Sequence, residues 1–497
     1  MQSQLPVLLV IIPLISALMI TVLGWFNKKW CFPITVVALG VSALVSVLLL
    51  CQVVEQGPLH YFLGSWVPPF GIEYKVDHLN SMVLCIVAVV SFLVAIFSKH
   101  AVEKELPDRI AHYYTLFVLL VTGLLGMTIT GDAFNLYVLV EIAALTSYAL
   151  LAMGKGRAYM STFNYVIMGT IGACFYLLGV GYLYMKTGTL NMGDLSQLLP
   201  QLHYSEAILV GFVLIMVGVW IKMAFFPLHG WLPNAYTFAP IASSCLIAPL
   251  MTKVSVYIMI RMMFSVFNAN YVFNVVSWSP LIVWLSVGAI VAGSLFALSQ
   301  KNLKKMLTFL IVAEVGYMVG GVWLGNEAGF RGAVYHILAD AMMTACLFMA
   351  IGAIFYKNRA VDLKDMKGLF HRMPWTMAAF VLGGFSMIGI PPTCGFFSKW
   401  YLIQGAFESG QWHFIVALLF SSLVNAVLFF RVIEVAYFQA LPDEDVTVHH
   451  SHEKVKEAPL SMLAPLLLSA ASLIGLGLYT NEIMTFLIDY AIPKYFL

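Results

Sequence analysis

Residues 217–229 read Val217-Gly218-Val219-Trp220-Ile221-Lys222-Met223-Ala224-Phe225-Phe226-Pro227-Leu228-His229. One lysine closes a long apolar run, and a proline interrupts the run one turn later. Proline removes an amide donor and clashes with the preceding turn, so the helix that this stretch predicts is broken close to an amine. Whether that amine sits in a water-soluble core or in lipid is decided by the rest of the chain. Of its 497 residues, 61% are hydrophobic and only 10% are Asp, Glu, Lys or Arg. A soluble domain carries about 25% charged residues, so lipid is the main solvent here and a soluble enzyme is excluded.

The 26 basic and 24 acidic residues nearly cancel, which leaves no basic stripe for a phosphate backbone; no nucleic-acid partner is expected. Seven cysteines are scattered singly without a CxxC pair, so neither a metal centre nor any other cofactor is expected. His449, His450 and His452 lie in the longest polar stretch, about 441–459, and read as a solvated loop, since no second ligand cluster is close in sequence. The first apolar run, Leu5 to Phe26, lacks a basic leader and a small-residue cleavage site, and reads as a mature helix.

Stretches of about 20 apolar residues, separated by charged or Pro/Gly-rich connections, mark the expected membrane spans. There are fourteen: 5–26, 33–54, 79–98, 113–131, 133–152, 161–186, 207–229, 240–264, 277–299, 303–324, 328–356, 374–400, 411–438 and 460–489. The runs are too long and too uniformly apolar for barrel strands, so the fold class is an all-α polytopic bundle in a lipid bilayer. Eighteen of the 26 basic residues fall in odd-numbered connections or in the span ends beside them. The positive-inside rule then places those connections in the cytoplasm and both termini on the opposite side. With basic residues near span ends counted in the neighbouring connections, Lys222, Lys253 and Lys399 are the three assigned to the spans themselves.

A small set of titratable groups remains inside the spans: Glu141 in span 5, Lys222 in span 7, Lys253 in span 8, Glu314 in span 10, His336 and Asp340 in span 11, and Lys399 in span 12. Each central charge costs at least about 2.5–3.5 kcal/mol to insert, which argues for function and against an inert scaffold. A desolvated lysine beside a movable carboxylate can load and unload a proton near neutral pH, so these groups predict a proton relay. His229, just after a proline, is a further candidate. Lys399 lies toward the end of its span, where a long side chain can also snorkel to the interface.

Span 12 repeats the broken pattern of span 7, with Pro391, Pro392 and Gly395 preceding Lys399 as Pro227 follows Lys222. Two broken, lysine-bearing spans five apart predict two five-helix repeats, spans 4–8 and 9–13. An odd repeat length makes them inverted with respect to each other. The expected divisions are 1–112, 113–264 for the first repeat, 277–438 for the second, and 439–497. Glu141 is then matched by Glu314, and Lys222 by Lys399.

At these residues the sequence resembles the antiporter-like subunits shared by respiratory complex I and the multisubunit Mrp-type cation/proton antiporters. The resemblance rests on Phe134 to Glu141, Lys222 with Pro227 to Ala235, Met251 to Tyr257, Asn302 to Leu307 with Gly316-Tyr317, and Ile390 to Lys399. Pro68-Pro69-Phe70-Gly71-Ile72 followed by Asp77 resembles most the D-type Mrp branch of that family. The resemblance implies that Glu141 modulates Lys222, that Lys253 relays, and that Lys399 serves a second half-channel. Where many relatives show two histidines and then a lysine on span 11, this chain has His336, Asp340 and Thr344, and a frequent span-8 histidine is Ile247. The path from Lys253 to Lys399 is therefore expected through His336, Asp340, Glu314 and water.

Together these readings predict a proton-translocating subunit of a multisubunit Na+/H+ antiporter in a bacterial inner membrane. Its expected partners are other membrane subunits, protons and monovalent cations. The alternative is the proton-pumping membrane subunit of a redox-driven complex, an NADH:quinone oxidoreductase or a membrane hydrogenase. Hydrophilic redox subunits on the one hand, or small hydrophobic ones on the other, would separate the two.

Overall fold

The computed structural model describes residues 3–439 and 457–496, so His449, His450 and His452 lie outside the described residues. Among the described residues, thirteen helices are long and apolar enough to cross a membrane. In chain order these are α1 (Leu5–Phe26), α2 (Cys31–Gln56), α3 (His78–Glu105), α4 (Ile110–Ile129), α5 (Ala133–Ala152) and α6 (Ala158–Thr187). They continue with α7a (Glu206–Met223), α8 (Ile241–Arg261), α9 (Ser279–Leu298), α10 (Leu303–Trp323), α11 (Glu327–Asn358), α13 (Trp412–Phe438) and α14 (Leu460–Leu478). The short α7b (Leu232–Phe238) continues span 7 beyond its break. The remaining expected span is two helices, α12a (Pro374–Ile388) and α12b (Cys394–Glu408).

Capping residues set several helix starts. Asp132 accepts the Asn135 amide at the head of α5, Asn302 accepts the Lys305 amide at the head of α10, and Asn326 accepts the Gly329 amide at the head of α11. Each satisfies an amide that the first helical turn leaves free. Asp77 and Asn80 form a reciprocal capping box on α3. Inside lipid, helices associate through close packing of small residues. Gly172 on α6 and Gly218 on α7a illustrate it: a Cβ on Gly218 would come within 2.6 Å of the Gly172 carbonyl oxygen.

The same backbone clasp occurs twice. Ala133 N–H donates to Leu190 O and Met192 N–H to Gly131 O, at 2.9 and 2.8 Å. Leu303 N–H donates to Val361 O and Leu363 N–H to Lys301 O, both at 2.9 Å. In each case the chain before a span (α5, α10) pairs with the chain after the following span (α6, α11). Successive crossings alternate in direction, and the clasps are five spans apart, so they lie at opposite ends of the bundle.

Three helices form the spine. The most apolar stretches of α8, α10 and α11 are 100%, 94% and 94% buried, against 39% for α1 and α6. These three carry Lys253, Glu314, His336 and Asp340, so the ionisable side chains are concentrated where protein, not lipid, surrounds them.

Four details differ from the sequence reading. A two-stranded antiparallel hairpin, β1 (Leu59–Phe62) and β2 (Glu73–Val76), occupies what reads as a loop. Its strands are too short for a two-residue alternation to stand out. Span 7 stops at Met223, because Ala224 turns left-handed (φ 58°) ahead of Pro227. Span 14 ends at Leu478, and a separate α-helical turn (Thr480–Ile483) and a π-helical turn (Met484–Ile488) follow it. Arg261, which reads as a connection residue, lies in the last turn of α8 and is buried.

Candidate functional site

The break in span 7 positions the first charged pair. Lys222 occupies the last turn of α7a, and its amine lies 3.3 Å from the carboxylate of Glu141 on α5. The break exposes backbone carbonyls, and one of them, Ile221 O, accepts the indole N–H of Trp231 at 3.1 Å. Trp231 is itself stacked flat on Tyr165 of α6 at 4.0 Å. Trp231 thus pins the segment between α7a and α7b to the end of α7a. Beside Lys222, a cavity of about 20 Å³ is lined by Tyr176, Val219, Met251 and Ser255. It has room for about one water molecule between α7a and α8.

Lys253 forms the second pair. Its amine is 2.8 Å from Asp340 Oδ2, with both side chains buried. Thr344 joins the two: Lys253 reaches its hydroxyl at 3.4 Å, and that hydroxyl donates to Asp340 Oδ1 at 2.8 Å. The pair crosses from α8 to α11, between the two expected repeats.

Asp340 and His336 stand one turn apart on α11, within about 5–6 Å of each other. His336 Nε2 meets Glu314 Oε2 of α10 at 2.6 Å, and His336 Nδ1 meets the hydroxyl of Ser398 at 2.9 Å. The second oxygen of Glu314, Oε1, is buried without a hydrogen-bond partner among the described residues. A buried acceptor without a partner is unusual in a folded protein and has free lone pairs able to accept a hydrogen bond. Ser398 immediately precedes Lys399, so the imidazole is joined by one hydroxyl to the helix that bears the last lysine.

Lys399 does not snorkel. It lies in the second turn of α12b, just past the break and buried, and its amine donates to Met387 O at 2.6 Å and to Ser422 Oγ at 3.1 Å. The broken turn that Pro391 and Pro392 impose thus leaves a carbonyl that holds the ammonium. Gly395 permits the approach: a Cβ there would lie 1.9 Å from Ser386 O. The Tyr317 ring contacts both Lys399 (5.3 Å to its centroid) and the edge of His336 (5.4 Å between centroids). In the expected pairing of the repeats Glu314 matches Glu141 yet pairs with a histidine, and Lys399 matches Lys222 yet rests on backbone.

The structure therefore gathers Glu141 with Lys222, Lys253 with Asp340, and His336 with Glu314, and sets Lys399 one serine away from His336. His229 stands apart. It is stacked between Phe226 and Phe296 and hydrogen-bonds to none of these groups. Thr344, Ser398 and Ser422 do not stand out in the sequence, because hydroxyls carry no insertion penalty that would single them out. Nor does the buried fork of Arg261 on Asp77, at 2.6 and 2.9 Å. Its one signal is an arginine one turn beyond Tyr257 on the face of Lys253.

Helices that bury paired acids and amines along a central spine define a multi-pass membrane protein with an internal ionisable chain. Residues 130–425 match the family described as "NADH:quinone oxidoreductase/Mrp antiporter, TM", and the chain belongs to that family. It is 40% identical to the N-type subunit of NADH-quinone oxidoreductase from Desulforudis audaxviator, covering 99% of both chains. It is 30% identical to the D-type subunit of a Na(+)/H(+) antiporter from Bacillus subtilis, covering 95% of this chain and 93% of that one. Among solved structures it resembles a chain of the membrane-bound sulfane sulfur reductase, an archaeal respiratory membrane complex. There the identity is 32% and the TM-score 0.90, with 99% of this chain and 98% of that chain covered.

Proposed function

We propose that this chain is the proton-translocating membrane subunit of a multisubunit monovalent cation (Na+)/H+ antiporter. Glu141 holds Lys222 charged. When that pair opens, the proton of Lys222 passes toward Lys253 and Asp340, on through His336 and Glu314, and leaves by Lys399. The reading is carried by the row of buried polar groups from Lys253 to Ser398, joined in turn by a charge pair, a helical turn and hydrogen bonds, with Lys399 the next residue of α12b. The B. subtilis relative, named as an antiporter subunit, supports cation exchange as the coupled process. Residues 113–264 and 277–438 are the two inverted half-channels, and the recurring backbone clasp supports that division. Both termini lie on the non-cytoplasmic side of a bacterial inner membrane, and the other subunits of the assembly flank the lipid-facing helices.

A second reading is favoured by one observation, the 40% identity to a subunit of NADH-quinone oxidoreductase. In it the same residues move protons, and electron transfer in partner subunits drives them. The chain is then a translocase part of a redox complex instead of a secondary transporter.

The test is proton-coupled Na+ exchange in everted vesicles from a strain that lacks its own antiporters but expresses the complete assembly. Exchange lost in Lys222→Ala supports the reading, and exchange at the parent level in that variant defeats it. Hydrophilic redox subunits in the purified assembly would select the second reading.

A further inference from the structure

The face of α8 that carries Lys253 continues through Tyr257 and Arg261, at intervals of four residues. Arg261 lies about 12 Å along the helix axis from Lys253. Beyond it opens a cavity of about 430 Å³, lined by Lys75, Asp77, His78, Arg261, Ser265 and Lys494 among others. Neither Tyr257 nor Lys253 reaches that cavity. Between it and the lysine of the second pair stand the guanidinium and the phenol.

The hydrogen bonds of this segment run in one sense only. Arg261 donates through both terminal nitrogens to the two oxygens of Asp77, at 2.6 and 2.9 Å. Its Nε donates to the hydroxyl of Tyr257 at 3.0 Å. Tyr257 in turn donates its only proton to Thr128 O at 2.9 Å, a carbonyl that also accepts from Asn80. One Asp77 oxygen is further engaged by the Asn80 amide. A group passes a proton along a chain only if it can accept at one side while donating at the other. A guanidinium has five donors and no acceptor, and it is not deprotonated in proteins. The phenol's hydrogen is committed sideways to backbone.

We propose that Asp77, Arg261 and Tyr257 form a proton-tight seal that separates Lys253 from the cavity at the 57–77 end of the bundle. Protons then reach Lys253 only from within the membrane. The proposal rests on the reading of Lys253 as a proton carrier. It adds what keeps that carrier from short-circuiting the gradient: a donor-only plug, held in place by the capping residue of α3.

The experiment uses the intact assembly in liposomes loaded with pyranine. A pH step is imposed with no cation gradient, and the passive proton leak is followed. Asp77→Asn with Arg261→Gln keeps a polar, hydrogen-bonding pair, shorter on the arginine side, and replaces the donor-only group with amides that both accept and donate. Leak should rise at least tenfold, and adding Lys253→Ala should return it to the parent level. Arg261→Lys, which keeps a donor-only cation, should leak as little as the parent. Tyr257→Phe removes one hydroxyl from an otherwise intact fold and should leave Na+-driven exchange unchanged. Slowed exchange in Tyr257→Phe would mean that the phenol conducts, and would overturn the proposal. So would a double variant that assembles and does not leak, or whose leak survives Lys253→Ala. Exchange that persists in Lys222→Ala while the double variant leaks would sink the relay and leave the seal standing.

Discussion

The ammonium of Lys399 lies 2.6 Å from the carbonyl oxygen of Met387, in the gap that the broken turn of span 12 opens. Asn425 donates to the same oxygen at 3.1 Å. The lysine is thus solvated by backbone where its counterpart Lys222 is solvated by a carboxylate. Lys399→Met leaves that gap without its main donor. Thermal unfolding should register a loss of about 1–3 kcal/mol, and cation exchange should fall at least tenfold. A variant with normal exchange would remove Lys399 from the path.

Glu141 and Lys222 touch at 3.3 Å with the carboxylate a quarter exposed, so of the relay pairs this one is the least enclosed by the chain. Glu141→Gln preserves shape and one hydrogen bond while deleting the charge. Exchange in everted vesicles should drop at least tenfold, equivalent to about 1.4 kcal/mol in barrier. The assembly should be recovered in normal amounts.

Lys253 and Asp340 are both buried at 2.8 Å separation. Removing one partner of such a pair costs about 3–5 kcal/mol, because the other charge is stranded; removing both is far milder. Lys253→Met and Asp340→Leu should each lower the melting temperature sharply, and the double variant should recover most of it. None of the three should exchange cations. Additive single losses in the double variant would contradict the pairing.

Asp77 lies outside the spans, at the head of α3. Burial pushes its carboxyl upward, but the charge and hydrogen bonds of Arg261 outweigh that and hold it at about 2. A carboxyl lowered by folding contributes stability above its ordinary value near 3.9 and loses that contribution as pH falls through its folded value. The gap in unfolding free energy between the parent and Asp77→Asn should therefore be flat from about pH 5 to pH 8. Below about pH 4 it should shrink by about 2 kcal/mol toward pH 2. A gap that begins to close near pH 6 would assign the titration to another group.

The spans and their ionisable residues were legible because lipid imposes a strong rule: a charge inside an apolar run stands out, and prolines mark where backbone is freed. Glu141, Lys222, Lys253 and Asp340 followed from that rule. Which acid meets which base did not, since pairing depends on helix rotation within the bundle. Glu314 reads as the twin of Glu141, yet rotation of α10 and α11 turns it to His336. Arg261 escaped because a basic residue near a span end looks like a loop residue until the next turn is seen to be buried. Lys399 looked terminal because an apolar run does not reveal that its helix starts again at Cys394.

The contact between Lys253 and Asp340 joins α8 to α11, helices of the two proposed repeats. A chimaera built from one half of this protein and the other half of a relative must import both partners or neither, whatever the quality of its loops. The seam between the halves is thus a lock that constrains recombination, and the two units can diverge only as a couple.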